Sequence, residues 1–174
     1  MMKSALTMAI AAMGCTAGSR LEAQSSKADR FRPAAVRFDA SLQESADRLK
    51  PLCTKLDARQ IQPAFLVLRE IVKVRQMQLD CDGFAFGNGA RWAEFVFVDD
   101  TLAMVWILTE GKDEAELLRL MTAAYGPPTH RNEKFIAFAE HGAALRTDRP
   151  EVLFFAPHLR TKVLPWFGTP STFR

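Results

Sequence analysis

Two aspartates, Asp80 and Asp82, stand on either side of Cys81. Carboxylates two residues apart on a strand share a face, where they can bind a cation or act as an acid and base pair. The next oxygen position of a calcium loop falls on Phe84, which breaks that pattern. A polar pair at a strand end that accepts loop amides is the simpler expectation. The three histidines, His130, His141 and His158, show no spacing of three or four, so no local metal pattern arises. Ser41, Ser45 and Ser171 lie in no G-x-S-x-G setting. Gly83, Gly87 and Gly89 crowd one stretch, but G-x-G-x-x-G and a phosphate-loop lysine are both missing. No catalytic residue, metal ligand or cofactor is therefore assigned. If the chain is an enzyme, it is a hydrolase working through carboxylates such as Asp80, Asp82, Glu94 or Asp100.

The cysteines carry the other available chemistry. Three occur, at 15, 53 and 81. Cys53 and Cys81 form an even pair once Cys15 is set aside, and in an oxidising compartment an even pair reads as a disulfide. Closing a loop of about 28 residues contributes roughly 3–4 kcal/mol on the chain-entropy account. Neither cysteine has the C-x-x-C spacing of redox chemistry.

The compartment is read from the first residues. Lys3, the apolar run Ala5 to Met13, and small residues at Gly14, Ala17, Gly18 and Ser19 have the layout of a secretory signal peptide. The run is too short to span a bilayer, which takes about 20 apolar residues. The expected division is a signal peptide over 1–23, a basic flexible linker over 24–37, one domain over 38–168 and a tail over 169–174. The alternative is a lipoprotein signal over 1–14, because Ala12-Met13-Gly14-Cys15 resembles a bacterial lipoprotein box with Cys15 as the acylated residue. The location is thus periplasmic or secreted, or membrane-anchored through lipid. Losing Lys3, Arg20 and Glu22 with the leader lowers the formal charge of +3 by one. So small a surplus gives no reason to expect nucleic acid.

These residues must be positioned by the following elements. Ser41-x-x-Glu44 is a capping box for a short helix that Lys50-Pro51 ends. Lys55 to Ile61 alternates as a strand. Residues 63–74 fit either a strand or a helix. Arg75 to Cys81 reads as a strand and Asp82 to Ala90 as a glycine-rich loop. Residues 113–125 give the clearest helix, stopped by Gly126 and Pro127-Pro128. Lys134–Ala139, Ala143–Arg146 and Glu151–Ala156 are short strands. A last helix starts at Pro157 and ends before Pro165. The expected class is α+β: a mainly antiparallel sheet of about six strands, with two or three helices on one face. The helix-then-strands rhythm starts near Ser41 and again near Asp113. This layout resembles that of the β-lactamase-inhibitory protein and the small outer-membrane assembly lipoproteins, and carries over no motif, residue or activity.

Arg91–Val98 and Thr101–Thr109 read as a hairpin about Asp99-Asp100. With a two-residue turn, Phe95 meets Met104, Phe97 meets Leu102 and Ala93 meets Trp106 on a core face. Trp92, Glu94, Val96, Ala103, Val105 and Ile107 take the opposite face, which is apolar enough to be a contact surface. Phe84 and Phe86 either continue a strand into the core or form an exposed loop. The candidate binding surface is therefore Phe84, Phe86, Trp92, Val96 and Ile107. Arg146, Arg149, Arg160 and Lys162 can gather near the last helix, as a solvated face. The expected function is a non-enzymatic binding or protein-interaction module of the envelope, with an unknown protein or envelope component as partner. The alternatives are the carboxylate hydrolase and an inhibitor of an exported hydrolase that inserts residues 82–90.

Overall fold

The structure, a computed structural model, describes residues 31–170. Its centre is one antiparallel sheet of eight strands in the order β1-β2-β3-β4-β8-β7-β6-β5. The strands are β1 Lys55–Ile61, β2 Gln76–Phe86, β3 Gly89–Val98, β4 Thr101–Leu108, β5 His130–Arg131, β6 Phe135–Phe138, β7 Ala143–Arg146 and β8 Glu151–Phe155. The helices are α1 Leu42–Leu49, α2 Glu114–Tyr125 and α3 Arg160–Phe167. The class is α+β, with more strands than the six expected. The signal-peptide expectation and Cys15 lie outside the described residues, as does Ser171.

The path repeats. A helix leads into a four-strand meander twice, α1 into β1–β4 and α2 into β5–β8. The last strands of the two meanders, β4 and β8, pair antiparallel in the middle of the sheet. Sequence dictates the start of α1. Ser41 Oγ accepts from the Glu44 amide, and the Glu44 carboxylate accepts from the Ser41 amide, which completes the capping box of α1. At the far end of α2, Gly126 takes φ 81°, a conformation open to glycine.

Both faces of the sheet are covered. On the first face Leu49 of α1 and Leu117 and Met121 of α2 pack over Phe95, Phe97, Val105, Ile107 and Phe154. Phe31, Ala35 and Val36 belong to this layer, so the folded region reaches back into the stretch expected to be a linker. On the second face Leu159, Val163 and Phe167, around and within α3, pack over Val96, Met104, Leu153 and Phe155. Two helices thus share one face, and the third lies on the other. Leu68 is fully buried on the second face as well, carried by a coil that links β1 to β2. That coil, residues 62–75, is neither of the two regular forms expected for it. It makes turns, with the Leu68 and Arg69 amides both donating to the Phe65 carbonyl.

Three boundaries differ from the expectations for stated reasons. Residues 82–86 continue β2 instead of forming a loop. Gly83, at φ 75°, sits where the pairing with β3 shifts between Cys81 and Phe84, and Gly87 and Asn88 make the turn. Glycines inside a strand mark bulges as readily as loops. The hairpin about Asp99 and Asp100 has the two-residue turn, with both residues at positive φ as a type I′ turn requires. Its pairing starts with Val98 against Thr101 and Phe97 against Leu102, then shifts so that Val96 meets Met104. The bulge at Ala103 reverses the faces of the rest of β4. Val105 and Ile107 enter the first-face core, while Met104 and Trp106 turn to the second face. Finally, α3 runs on through Pro165 to Phe167.

Candidate functional site

The second face is not closed completely. A groove of about 440 Å³ remains between the 62–75 coil and α3. That volume suits a small ligand. Phe65 and Val67 form the coil wall, Trp166 and Lys162 the helix wall, and Met104, Trp106, Glu94 and Glu151 the sheet floor. The groove continues past Trp106 and Trp166 toward Phe135 and Lys134 of the β6 region.

The walls are held by polar contacts. The Asp99 carboxylate accepts the amides of Lys73, Val74 and Arg75 at 2.8–3.1 Å, fixing the end of the coil to the β3–β4 turn. These bonds hold the Asp99 carboxyl below its usual range. The Phe65 amide donates to Gln76 Oε1 at 2.9 Å, fixing the beginning of the coil. Lys162 Nζ reaches across to Glu70 at 2.8 Å and so joins the coil to α3. Asn132 Nδ2 donates to the Trp166 carbonyl at 2.8 Å and seats the C-terminal end of α3.

The aromatic side chains form a platform. The Trp106 and Trp166 rings are 6.2 Å apart, and Trp166 stacks with Phe135 at 6.4 Å and an interplanar angle of 18°. Arg146 lies over Phe135 at 5.7 Å, within cation–π range. Both tryptophans are half-buried.

The floor carries a row of charges that crosses the sheet. Arg59 Nε donates to Asp80 at 2.6 Å, and Gln78 Nε2 to the other Asp80 oxygen at 2.6 Å. Asp80 is paired across strands with Glu94. Burial pushes the Glu94 carboxyl above the usual glutamate range, and the charge of Asp80 pushes it further. Beyond Trp106, Glu151 accepts from Arg146 at 3.2 Å, and Arg146 Nε donates to Asp148 at 2.7 Å. Burial also pushes the Glu151 carboxyl up, with the Glu94 charge adding to it, while Arg146 and Arg149 pull it down. The groove therefore holds two glutamates that resist ionisation, among cations that partly compensate them.

The expected residues fall as follows. Cys53 and Cys81 form a disulfide that ties the segment after α1 to β2. Phe84, Phe86, Val96 and Ile107 are buried, so these four are core side chains and not a surface; Phe84 packs edge-on against Phe95. Their strand setting also removes the inserted loop on which an inhibitor reading rested. Trp92 remains 37% exposed. Of the carboxylates, Asp80 and Glu94 come together, while Asp82 lies within the bulge and Asp100 sits at the far turn near the Leu42 amide. Of the four cations, Arg146, Arg149 and Lys162 gather at the groove, and Arg160 pairs elsewhere with Glu140. The histidines are dispersed: His130 contacts Thr129, His141 stacks on Tyr125 and His158 is exposed. Among the described residues no group of three or more His, Cys, Asp or Glu is placed to hold a metal. Nor is any described helix long and apolar enough to cross a membrane. Sequence reasoning missed Trp106, Glu151 and Trp166 as groove residues. The Ala103 bulge hid the first, and an extended α3 hid the last.

Comparisons of the chain with protein-family models, with curated proteins and with solved structures returned no match.

Proposed function

We propose that the protein is a non-enzymatic binding module of the bacterial envelope, and that its ligand occupies the groove between the 62–75 coil and α3. One observation carries this reading. Both sheet faces are covered, yet the covering on the second face leaves a groove over two half-buried tryptophans and two glutamates. Large aromatic surface left open beside convergent polar groups is the ordinary form of a ligand site. The disulfide and the leader-like N-terminus support an oxidising compartment outside the cytoplasm. The test is tryptophan emission of the Trp92→Phe protein, titrated with fractions of envelope extract. Saturable quenching of Trp106 and Trp166 is expected, lost on filling the groove by Val67→Phe. A flat response to every fraction contradicts the reading.

A second reading, a hydrolase working through carboxylates, is favoured by the raised pKa of both Glu94 and Glu151 in one groove. It requires turnover of model ester or glycoside substrates that Glu94→Gln and Glu151→Gln each reduce by at least about a hundredfold. Equal rates in wild type and both variants dismiss it.

A further inference from the structure

We infer that the groove takes an acidic oligosaccharide, a sugar ring lying on the Trp106–Trp166 platform and its carboxylates held by Arg149 at one end and Lys134 at the other. The inference rests on the groove being a ligand site and names the class of ligand.

The chemistry of the lining selects among ligand classes. Four aromatic rings, Phe65, Trp106, Phe135 and Trp166, line the groove beside Leu66, Val67 and Met104, and charged groups stand among them. A fatty chain laid here would bury Glu94 and Glu151 without giving either a hydrogen-bond partner. A peptide recognised by strand addition needs a free strand edge, and the strands under the groove, β3, β4, β7 and β8, are each paired on both sides. A pyranose meets both demands. Its axial C–H face covers an aromatic ring, and its hydroxyls both donate to carboxylates and accept from guanidinium and ammonium groups.

Charge complementarity points to an acidic substituent. Arg146 is already engaged by Asp148 and Glu151, and Lys162 by Glu70. Arg149 and Lys134 line the two ends of the groove, and neither enters an ion pair among the described residues. Both are exposed, so an incoming carboxylate reaches them without displacing an internal partner.

The experiment uses the oxidised protein carrying Trp92→Phe and three probes: trigalacturonic acid, maltotriose and citrate. Calorimetry and tryptophan emission are read together. Trigalacturonic acid binds and changes the emission, maltotriose binds at least about tenfold more weakly, and citrate leaves the emission unchanged. Arg149→Glu with Lys134→Glu alters only exposed positions, and should weaken trigalacturonic acid about tenfold without changing maltotriose. Trp166→Phe should weaken both sugars. Citrate binding as tightly as the acidic sugar overturns the saccharide, and an unchanged affinity in the double charge variant overturns the assignment of the carboxylate. If no sugar binds but envelope fractions still quench Trp106 and Trp166, the ligand class fails and the groove reading survives. If the fractions are also silent, both fail.

Discussion

At the scale of single residues, the groove floor places ionisable groups where water is scarce. Glu94 is the clearest case, because burial and Asp80 act on it in the same direction. A carboxyl whose folded pKa lies above its unfolded value makes a contribution that is intact below about pH 4, and stability then falls as the pH rises through the folded value. Glu94→Gln removes a group that resists ionisation and nothing else charged. Its melting temperature should equal wild type near pH 4 and exceed it at pH 8; an identical difference at both values argues against a strained Glu94. Glu151 has the opposite dependence on its neighbour. Its side chain is 9% exposed and Arg146, its counter-ion, 25%. Arg146→Met leaves that carboxylate without its partner, at a cost of about 2 kcal/mol, below the range for fully buried pairs because Arg146 is partly solvated. Chemical denaturation should find the loss at pH 8 and a smaller one in acid, because burial favours the neutral form of Glu151, which needs no counter-ion.

At the scale of elements, two ties keep irregular chain in place. The Cys53–Cys81 bond closes a 28-residue loop that contains β1 and the whole 62–75 coil. Replacing both cysteines with alanine should cost about 3–4 kcal/mol by the chain-entropy account, measured against the oxidised protein. Asp99 is the second tie, with three amides of the coil on one carboxylate. Asn tolerates the same left-handed turn conformation but offers only one acceptor oxygen. Asp99→Asn should therefore raise amide exchange at residues 73–75 while α2 keeps its protection; equal exchange in both proteins would remove Asp99 as the anchor. The same elements show what can be read from sequence. The capped helices and the β3–β4 hairpin were legible because caps, turn residues and apolar periodicity are local. The bulges at Gly83 and Ala103 were not. One extra residue in a strand costs little locally, but it sends every later side chain to the other face. This is why Trp106 read as core and Ile107 as surface, and each has the other's place. The coil escaped both regular readings because Leu68 alone buries deeply while Leu66 stays 79% exposed, a pattern of neither period.

At the scale of the whole molecule, the repeated helix-and-meander halves put α1 and α2 on one face of the sheet. The other face is covered by two segments outside that repeat, the long β1–β2 connection and the helix after β8. The groove is the gap between these two additions, so its walls come from segments far apart in sequence, and no local motif announces it. Glu94, Glu151, Trp106 and Trp166 come from four separate elements, brought together only by the strand order. The disulfide was legible because it depends on an even cysteine pair in the sequence, whereas the site depends on register. Amide hydrogen exchange with and without saturating ligand, from envelope fractions or trigalacturonic acid, tests the groove most directly. The account predicts added protection in residues 62–75 and 160–167 and none in 42–49 or 114–125. Protection confined to the α1–α2 face, or an exchange pattern unchanged by a ligand shown to bind, would contradict it.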